Sequence, residues 1–421
     1  GSSPTITRNE IVGNTISSPT YKLYYGGGIY IQGSVPTTPP RPVITRNLIQ
    51  GNVVDPVNGT STTHSDAFGG GIYIGINASA VITGNTIKAN RAGDSAKTFQ
   101  ASAGGGLDNA SRVTVVENKI SGNLFTGNLA GDSGGGVSLE EYFTGAGATE
   151  PSRGTIDDNI FDTNTADYGG ALNVRETLAK IYNNTIHNNT ARIGGGAAYF
   201  SVPVTASNTA EFVNNLVTSN LATGTGGGGA FYVEPLTNPT VKSCDLWGNT
   251  PTNVAGSKTD ASYIGLNGVI SVDPLYVNRN AVPPDYHLLT ASPVVEMGDN
   301  TFASGLLKDY DGAPRIQDKD GNGVATVDIG AFEFSPDFDG DGIPDWQDGD
   351  QDNDGVANAS DCAPLNRAIS QVPDRLANTL KLDKSGATAT LKWLHAYQAP
   401  TYNVYRGTFG GGAAFAYNET C

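Results

Sequence analysis

The chain has 421 residues, of which 55 are glycine, 22 are proline and only 16% are charged, against roughly 25% in an average globular protein. Turn-forming residues replace charged ones, so the composition predicts a turn-dense β protein and argues against an ordinary helical enzyme. Residues 309–361 hold fourteen aspartates and Glu333 against two basic residues, which gives −13 of the net charge of −16. The remainder is nearly neutral, which excludes a basic nucleic-acid surface and a polybasic membrane patch.

The cysteine count and the distribution of apolar residues narrow the class of protein further. Three cysteines, Cys244, Cys362 and Cys421, exclude a disulfide scaffold and fit no zinc-site spacing. The sequence has no apolar run of about 18 residues, so we predict no transmembrane segment. The first residues lack a secretory leader and open inside a repeat, and we therefore expect a leader and upstream coils to be missing.

A repeat containing two asparagines five residues apart fills the first 250 residues. The pairs are Asn9 and Asn14, Asn47 and Asn52, Asn85 and Asn90, Asn118 and Asn123, Asn159 and Asn164, Asn184 and Asn189, and Asn215 and Asn220. An eighth copy, VKSCDLWGN, keeps Asn249 and has Cys244 at the first asparagine position. The interval between copies varies from 25 to 41 residues, which predicts coils of constant core joined by loops of variable length.

A glycine cluster and a short apolar strand follow each pair, as in GGGIYI from Gly26 and GGGVSL from Gly134. Such short strands, with period-2 alternation and breakers at both ends, predict a solenoid of parallel strands. Residues such as Ile44 and Ile49 are expected to point inward and stack. Asparagine suits the turns because it tolerates left-handed backbone and its amide can bond along the axis. Cys244 is expected to be a buried free thiol, with a reactive thiol as the alternative.

These repeats resemble a known family. FDTNTADYGGALNV and IHNNTARIGGGAAYF are similar to the GGA(I/L) and FxxN repeats of polymorphic outer-membrane and related bacterial surface β-helix proteins. NGVISVDPLYVN, DYHL, SPVVEMGD, DYDGAPR and VDIGAFEF resemble the C-terminal end of bacterial secreted β-helix proteins with variable anchoring domains. The resemblance covers about residues 1–334. It implies an all-β, right-handed parallel β-helix (solenoid) in the extracellular space or on a bacterial cell surface.

The Asp-rich stretch within residues 335–366 contains two copies of a DxDxDGxxD-like pattern. Alternate carboxylates in a tight loop converge on one point, which is oxygen chemistry suited to Ca²⁺. The stretch resembles thrombospondin type 3 repeats, and a solvated acidic linker is the alternative. The predicted ligands are Asp337, Asp339, Asp341 and Asp345 in the first copy, and Asp350, Asp352, Asp354, Asn358 and Asp361 in the second.

Two neighbouring segments carry weaker patterns. DKDGNG, with Asp318, Asp320 and Asn322, resembles half of a calcium loop, and a plain polar turn is the alternative. Residues 374–421 contain LANTLKLDKSG, ATLKWLHA and TYNVYRGTF, which resemble the first strands of a fibronectin type III-like module. A complete sandwich needs roughly 90–100 residues, so we expect a partial β-sandwich that another segment completes, or a fragment.

The sequence contains no group of residues that predicts a catalytic site. The four histidines, His64, His187, His287 and His395, share no repeat copy, and neither GxSxG nor HExxH occurs. Asp157 and Asp158 form the one adjacent carboxylate pair in the repeats, and they occupy an ordinary turn position.

Aligning the glycine-led strands instead predicts an outward column that can bind an extended sugar chain. The alternative is that its tyrosines pack under long loops such as residues 33–42. The column contains Tyr30, Tyr73, Asp108, Ser138, Asn173, Tyr199 and Tyr232.

We therefore expect a non-enzymatic, secreted or cell-surface, calcium-stabilised β-helix with a structural or adhesive role. Its expected partners are an extracellular polysaccharide or a second copy of the chain. A second copy is expected because an uncovered first coil would allow head-to-tail stacking into a filament. A polysaccharide lyase or glycoside hydrolase is the alternative, and a purely carbohydrate-binding module is the third possibility.

Overall fold

The computed structural model describes residues 2–17, 23–34, 37–55, 66–93, 101–113, 117–139, 154–175, 178–201, 210–303, 305–319, 323–341, 343, 345, 347–369, 380–385 and 388–394. The chain divides into two compact units, residues 1–334 and 335–421. Within the described residues, no helix has the length and apolar character needed to cross a membrane.

Four parallel sheets, here called A to D, run through the first unit, and each coil contributes one short strand to a sheet. Sheet A contains Thr5–Thr7, Val43–Thr45, Val81–Thr83, Asn118–Ser121, Gly154–Asp157, Lys180–Tyr182, Glu211–Val213 and Thr240–Lys242. Sheet B contains Glu10–Val12, Leu48–Gln50, Thr86–Lys88, Leu124–Thr126, Ile160–Asp162, Thr185–His187, Leu216–Thr218 and Asp245–Trp247. Sheet C contains Thr15–Ile16, Val53–Val54, Arg91–Ala92, Leu129–Ala130, Thr165–Tyr168, Thr190–Gly194 and Leu221–Ala222.

Sheet D contains Ile29–Ile31, Ile72–Ile74, Leu107–Asn109, Val137–Leu139, Leu172–Arg175, Ala198–Ser201, Phe231–Val233 and Val254–Gly256. A small parallel sheet E precedes sheet D in three coils and contains Leu23–Tyr25, Asp66–Phe68 and Ser102–Ala103. The first unit is therefore a parallel β solenoid, which is consistent with the predicted β-helix.

The alternation of side chains along these strands builds the core. In sheet A, Ile44, Ile82 and Ile120 pair in register on successive coils and are fully buried. In sheet B, the rings of Phe125 and Phe161 stack with centroids 4.9 Å apart. Each such side chain contributes about 1.5–3 kcal/mol through burial, so the repeated column supplies the main stabilisation of the solenoid.

Two asparagine ladders run along the solenoid, as predicted. A typical member, Asn47, donates its backbone N–H and its Nδ2 to Oδ1 of Asn85, at 2.9 and 3.0 Å, and its Nδ2 also donates to the carbonyl of Ile6 at 2.9 Å. Because buried polar groups need partners, these amides satisfy turns that would otherwise destabilise the fold. The first ladder is Asn9, Asn47, Asn85, Asn123, Asn159, Asn184, Asn215 and Cys244, and the second is Asn14, Asn52, Asn90, Asn128, Asn164, Asn189, Asn220 and Asn249.

The predicted pair in the fourth coil is wrong by one step. The structure places Asn123 and Asn128, rather than Asn118 and Asn123, in the two ladders. Three asparagines stand five residues apart here, so spacing alone allows either choice. The stacking of Ile120 on Ile82 fixes the register, and Asn118 accepts a hydrogen bond from the Ala80 N–H instead.

The predicted backbone role of the ladder asparagines is also wrong. Positive φ falls on the residue before each ladder position, as at Arg46 (56°), Thr163 (56°) and Asn183 (51°). The ladder residue directs its backbone N–H and its side-chain amide along the solenoid axis to bond the next coil. The chain therefore turns at the residue before it. Gly104 likewise permits a turn with positive φ, 65°. Gly105 is needed for close approach, because a Cβ there would lie 2.5 Å from the carbonyl oxygen of Gly135.

Cys244 is free and fully buried, as predicted. Its Sγ accepts the N–H of Asn215 at 3.4 Å and donates to the carbonyl of Lys242 at 3.1 Å. Burial raises its pKa to about 12, so the thiol remains protonated. The thiol therefore ends the first ladder as a weak hydrogen-bonding group.

Residues 257–334 complete the first unit. The 3₁₀ helix Asp260–Ser262 leads into Tyr263, which packs with Val269 against the last coil. An antiparallel hairpin follows, with strands Tyr276–Asn278 and Asp285–Leu288, and a short helix spans Asn300–Ala303. This segment covers the outer face of sheet B, where its apolar side chains form a second core with Ile160 and Leu216.

A buried ionic network fixes this segment on the coils. Arg315 donates to Glu333 Oε1 at 2.9 Å, to the carbonyl of Gly330 at 3.1 Å and to Asp158 Oδ1. Asp309 accepts three backbone N–H groups of its own turn and the N–H of Glu333. The DYDGAPR and VDIGAFEF motifs therefore form a clamp that joins residues distant in sequence.

The described tail of the second unit contains one antiparallel hairpin, with strands Lys381–Ser385 and Thr388–Lys392. It coincides with the first two predicted strands of the fibronectin type III-like module. Leu382 and Leu391 pair across the hairpin and are exposed. The third predicted strand, TYNVYRGTF, lies outside the described residues, so the β-sandwich stays a prediction.

Candidate functional sites

The Asp-rich segment forms two tight loops held by their own carboxylates. In the first loop, Asp337 accepts the N–H of Gly340 at 2.8 Å, and Asp345 accepts the N–H of Phe338 at 2.9 Å, which joins its two ends. In the second, Asp350 accepts the N–H of Gly355 at 3.0 Å. Gly340 and Gly355 have positive φ, so glycine permits the reversal in each loop.

Each loop brings three carboxylates together. One oxygen of each of Asp337, Asp339 and Asp341 lies within 4.8 Å of the others, and the same holds for Asp350, Asp352 and Asp354. These two groups can hold a metal ion. Asp345 braces its loop, and Asn358 braces the second by accepting the N–H of Gln351 and donating to the carbonyl of Asp348. Their predicted role as metal ligands stays a prediction.

The second loop carries the sharper chemical signal. Asp350 Oδ1, Asp352 Oδ2, Asp354 Oδ2 and Asp361 Oδ2 are shielded from solvent and have no hydrogen-bond partner within the described part of the chain. Buried carboxylate oxygens without partners are costly because the charge is desolvated without compensation. A cation held by Asp350, Asp352 and Asp354 would remove this cost for these three carboxylates.

The weaker DKDGNG pattern is only partly described. Asp318 Oδ2 accepts the N–H of Gly323 at 2.9 Å, which closes a loop. Asp320 and Asn322 lie outside the described residues, so a metal-binding role for this loop stays a prediction.

The predicted outward column on sheet D is stacked in register. Its seven residues, Tyr30, Tyr73, Asp108, Ser138, Asn173, Tyr199 and Tyr232, pair from one coil to the next. The expectation that the whole column lies on the surface is wrong. Tyr73, Asp108, Ser138 and Asn173 are buried, whereas Tyr30 is 50% exposed.

Aromatic residues from sheet E explain part of this burial. Tyr73 packs against Tyr25 with ring centroids 4.5 Å apart and shares an apolar cluster with Phe68. Residues 23–25 and 66–68 therefore cover Tyr73 at this end of the column. Sequence spacing could not show this, because sheet E comes from loops of unequal length.

The other end of the column opens into a polar depression of about 230 Å³. Tyr168 and Tyr199 pack with ring centroids 4.7 Å apart, and the Tyr199 hydroxyl donates to Glu234. Burial raises the pKa of Asp132 to about 6, with a further rise from Asp167. The depression is lined by Asp132, Ser133, Tyr168, Asn173, Arg175, Tyr199, Ser201 and Glu234.

The two described histidines, His187 and His287, lie in different surroundings. His187 lies on a sheet B strand, where Tyr276 and Tyr286 pack against it and burial lowers its pKa to about 4. His287 lies between Asp285 and Asp311, and hydrogen bonding to Asp311 is the main reason that its pKa is raised to about 9. His64 and His395 fall outside the described residues.

The adjacent pair Asp157 and Asp158 divides between two environments. Asp158 pairs with Arg315 inside the buried network, whereas Asp157 faces the outer surface of sheet A near Lys119. Asp158 is thus committed to structure.

Sequence reasoning missed three residues that line the depression on sheet D, namely Asp132, Arg175 and Glu234. They come from three separate coils and carry no shared local motif.

No protein-family model matches the chain, and no curated protein matches it significantly in sequence. The fold and the acidic loops therefore define its class. It is a parallel β solenoid followed by a segment in which two clusters, each of three carboxylates, can hold metal ions.

Proposed function

We propose that this protein is a secreted or cell-surface right-handed β-helix, stabilised by calcium, with a structural or adhesive role. The proposal divides the chain into a β-helix of residues 1–334, a calcium-binding segment of residues 335–366 and a partial β-sandwich of residues 374–421. One observation carries it: the second Asp-rich loop buries the unpartnered carboxylate oxygens of Asp350, Asp352, Asp354 and Asp361.

Calcium is the cation that best fits this donor set. The available ligands are carboxylate and backbone oxygens, and Ca²⁺ takes 6–8 oxygen ligands in flexible geometry. Nitrogen and sulfur donors, which zinc prefers, are absent from the two converging groups. Extracellular calcium modules bind with Kd of about 10⁻⁴–10⁻³ M, and we expect an affinity in this range here.

Limited proteolysis tests the stabilising role. At a calcium concentration one hundred times Kd, binding stabilises a site by about 2.7 kcal/mol and reduces its opening about a hundredfold. We therefore expect a chelator to accelerate cleavage within residues 335–369 at least about tenfold, while the far-UV circular dichroism of the solenoid persists. Substituting Asp352→Asn and Asp354→Asn should make cleavage fast in either condition. Equal cleavage of the parent chain with and without chelator would contradict the proposal.

The polar depression on sheet D supports an adhesive role through polysaccharide binding. Tyr168 and Tyr199 line the depression, and Tyr232 stacks on Tyr199 in the next coil, so aromatic surface lies beside the polar groups. Asp132 and Glu234 offer hydrogen-bond acceptors for hydroxyl groups beside them.

Head-to-tail self-association into filaments remains a separate prediction, which electron microscopy of native material tests.

A polysaccharide lyase or glycoside hydrolase is the second candidate, and it is favoured by two acidic residues, Asp132 and Glu234, that line one depression, where burial raises the pKa of Asp132 to about 6. A carboxyl group with such a pKa can exchange protons near neutral pH, as general acid–base catalysis requires. Incubation with polysaccharides separates the two functions. A binding protein leaves chain length unchanged, whereas an enzyme shortens the chains and loses this activity on Asp132→Asn substitution.

A further inference from the structure

A second cleft lies on the outer face of sheet A, away from the depression on sheet D. Its floor consists of outward residues from three coils, in which Lys119 pairs with Thr155 and Thr155 with Lys180. Adjacent strands lie about 4.8 Å apart, so the backbones of the two lysines are about 10 Å apart along the solenoid axis, and the long side chains can converge on one ligand group. The wall comes from Thr301, Phe302, Gly305 and Leu306, which belong to the segment that covers sheet B.

The cleft has the size and lining of a small-molecule site. Its volume is about 420 Å³, within the roughly 300–1,000 Å³ that such sites occupy. Phe302 and Leu306 form an apolar side, and Phe302 packs edge-on against Tyr182 at 5.4 Å between ring centroids. The opposite side is formed by lysines and a carboxylate, so the cleft combines apolar and charged surfaces.

The two lysines are available to a ligand. Their side chains are 42% and 44% exposed, and their acidic neighbours lie at 3.9 Å (Asp157 to Lys119) and 3.5 Å (Glu117 to Lys180). Both distances exceed the roughly 2.7–2.9 Å of a tight charge-assisted hydrogen bond. A nearby carboxylate, Glu211, already accepts the hydroxyl of Tyr182.

Asp157 supplies an unused polar atom at the base of the cleft. Its Oδ1 is shielded from solvent and has no hydrogen-bond partner in the described residues. Burial raises its pKa, and the nearby Lys119 opposes that rise. A ligand hydroxyl that reached this oxygen would supply the hydrogen-bond partner that it lacks.

We propose that this cleft binds an acidic saccharide, with Lys119 and Lys180 holding a sugar carboxylate and Asp157 a neighbouring hydroxyl. Phe302 and Leu306 contact the apolar edge of the sugar. A carboxylated sugar combines an anion, hydroxyl groups and an apolar edge in one small molecule, which matches the three kinds of surface in the cleft. The inference does not depend on calcium binding or on the depression on sheet D.

Calorimetric titration of the full chain with trigalacturonate tests the proposal, with neutral maltotriose as the comparison. We expect trigalacturonate to bind in low salt, more weakly in 0.5 M NaCl because the contacts are ionic, and maltotriose to bind at least about tenfold more weakly. The double variant Lys119→Gln and Lys180→Gln should lose at least about tenfold in affinity, or about 1.4 kcal/mol.

The double variant Lys88→Gln and Lys258→Gln is the matched control, because it removes the same charge from residues outside the cleft. It should bind as the parent does, and thermal melting should show that both variants are folded. The proposal is overturned if trigalacturonate does not bind, if maltotriose binds equally well, or if the cleft variant retains the parent affinity.

Discussion

Replacing Arg315 with methionine is expected to lower the free energy of unfolding of the solenoid unit by about 3–5 kcal/mol. Methionine retains much of the volume but leaves Asp158 and Glu333 buried without a cation, and breaking a buried ion pair costs about this much. Chemical denaturation followed by far-UV circular dichroism measures the loss. Arg41→Met, at an exposed arginine, is the control and should change stability by less than about 0.5 kcal/mol.

The same substitution should be pH-dependent. Burial raises the pKa of Asp158 to about 7, with Arg315 opposing the rise, and the pKa should rise further when Arg315 is removed. The folded variant then binds protons that the unfolded chain releases, so its stability falls as pH increases from 5 to 8. The loss relative to the parent should therefore be larger at pH 8 than at pH 5. An equal loss at both values would show that the network acts by packing alone.

Replacing Asn184 with leucine is the second change with a large expected effect, about 2–4 kcal/mol. Asn184 is fully buried; its Oδ1 accepts the N–H and Nδ2 of Asn159, and its Nδ2 donates to the carbonyls of Ile156 and Tyr182. Leucine makes none of these bonds, and each buried group left unsatisfied costs about 1–3 kcal/mol.

Asn9→Leu is the matched control for the ladder, because Asn9 belongs to the same ladder and is exposed. Water can replace its lost hydrogen bonds, so the expected loss is below about 1 kcal/mol. Thermal melting of both variants decides the matter. If the two midpoints shifted equally, the ladder would not stabilise the interior of the solenoid.

Local patterns in the sequence predicted the solenoid well because each coil repeats the same requirements. The spacing of Asn85 and Asn90 and the glycine-led strands each fix one turn, and stacking then follows from parallel pairing. The same reasoning failed at Asn118, where three equally spaced asparagines left the register open. Only the packing of Ile120 on its neighbours resolved it.

Contacts between distant residues were beyond sequence reasoning. Arg315 and Asp158 are 157 residues apart, and neither position carries a mark of its partner. The depression around Asp132 and the cleft around Asp157 each bring together residues from several coils that share no local motif. The acidic loops, in contrast, were predicted because their carboxylates alternate within a few residues, although the burial of Asp352 was visible only in the structure.

Calorimetric measurement of calcium binding to the full chain tests the central claim most directly. We expect two calcium ions per chain with Kd of about 10⁻⁴–10⁻³ M. The triple variant Asp350→Asn, Asp352→Asn and Asp354→Asn should lose one of them, whereas Asp383→Asn, in the exposed hairpin, should keep both. An absence of calcium binding at several millimolar, or an unchanged stoichiometry in the triple variant, would contradict a calcium-stabilised protein.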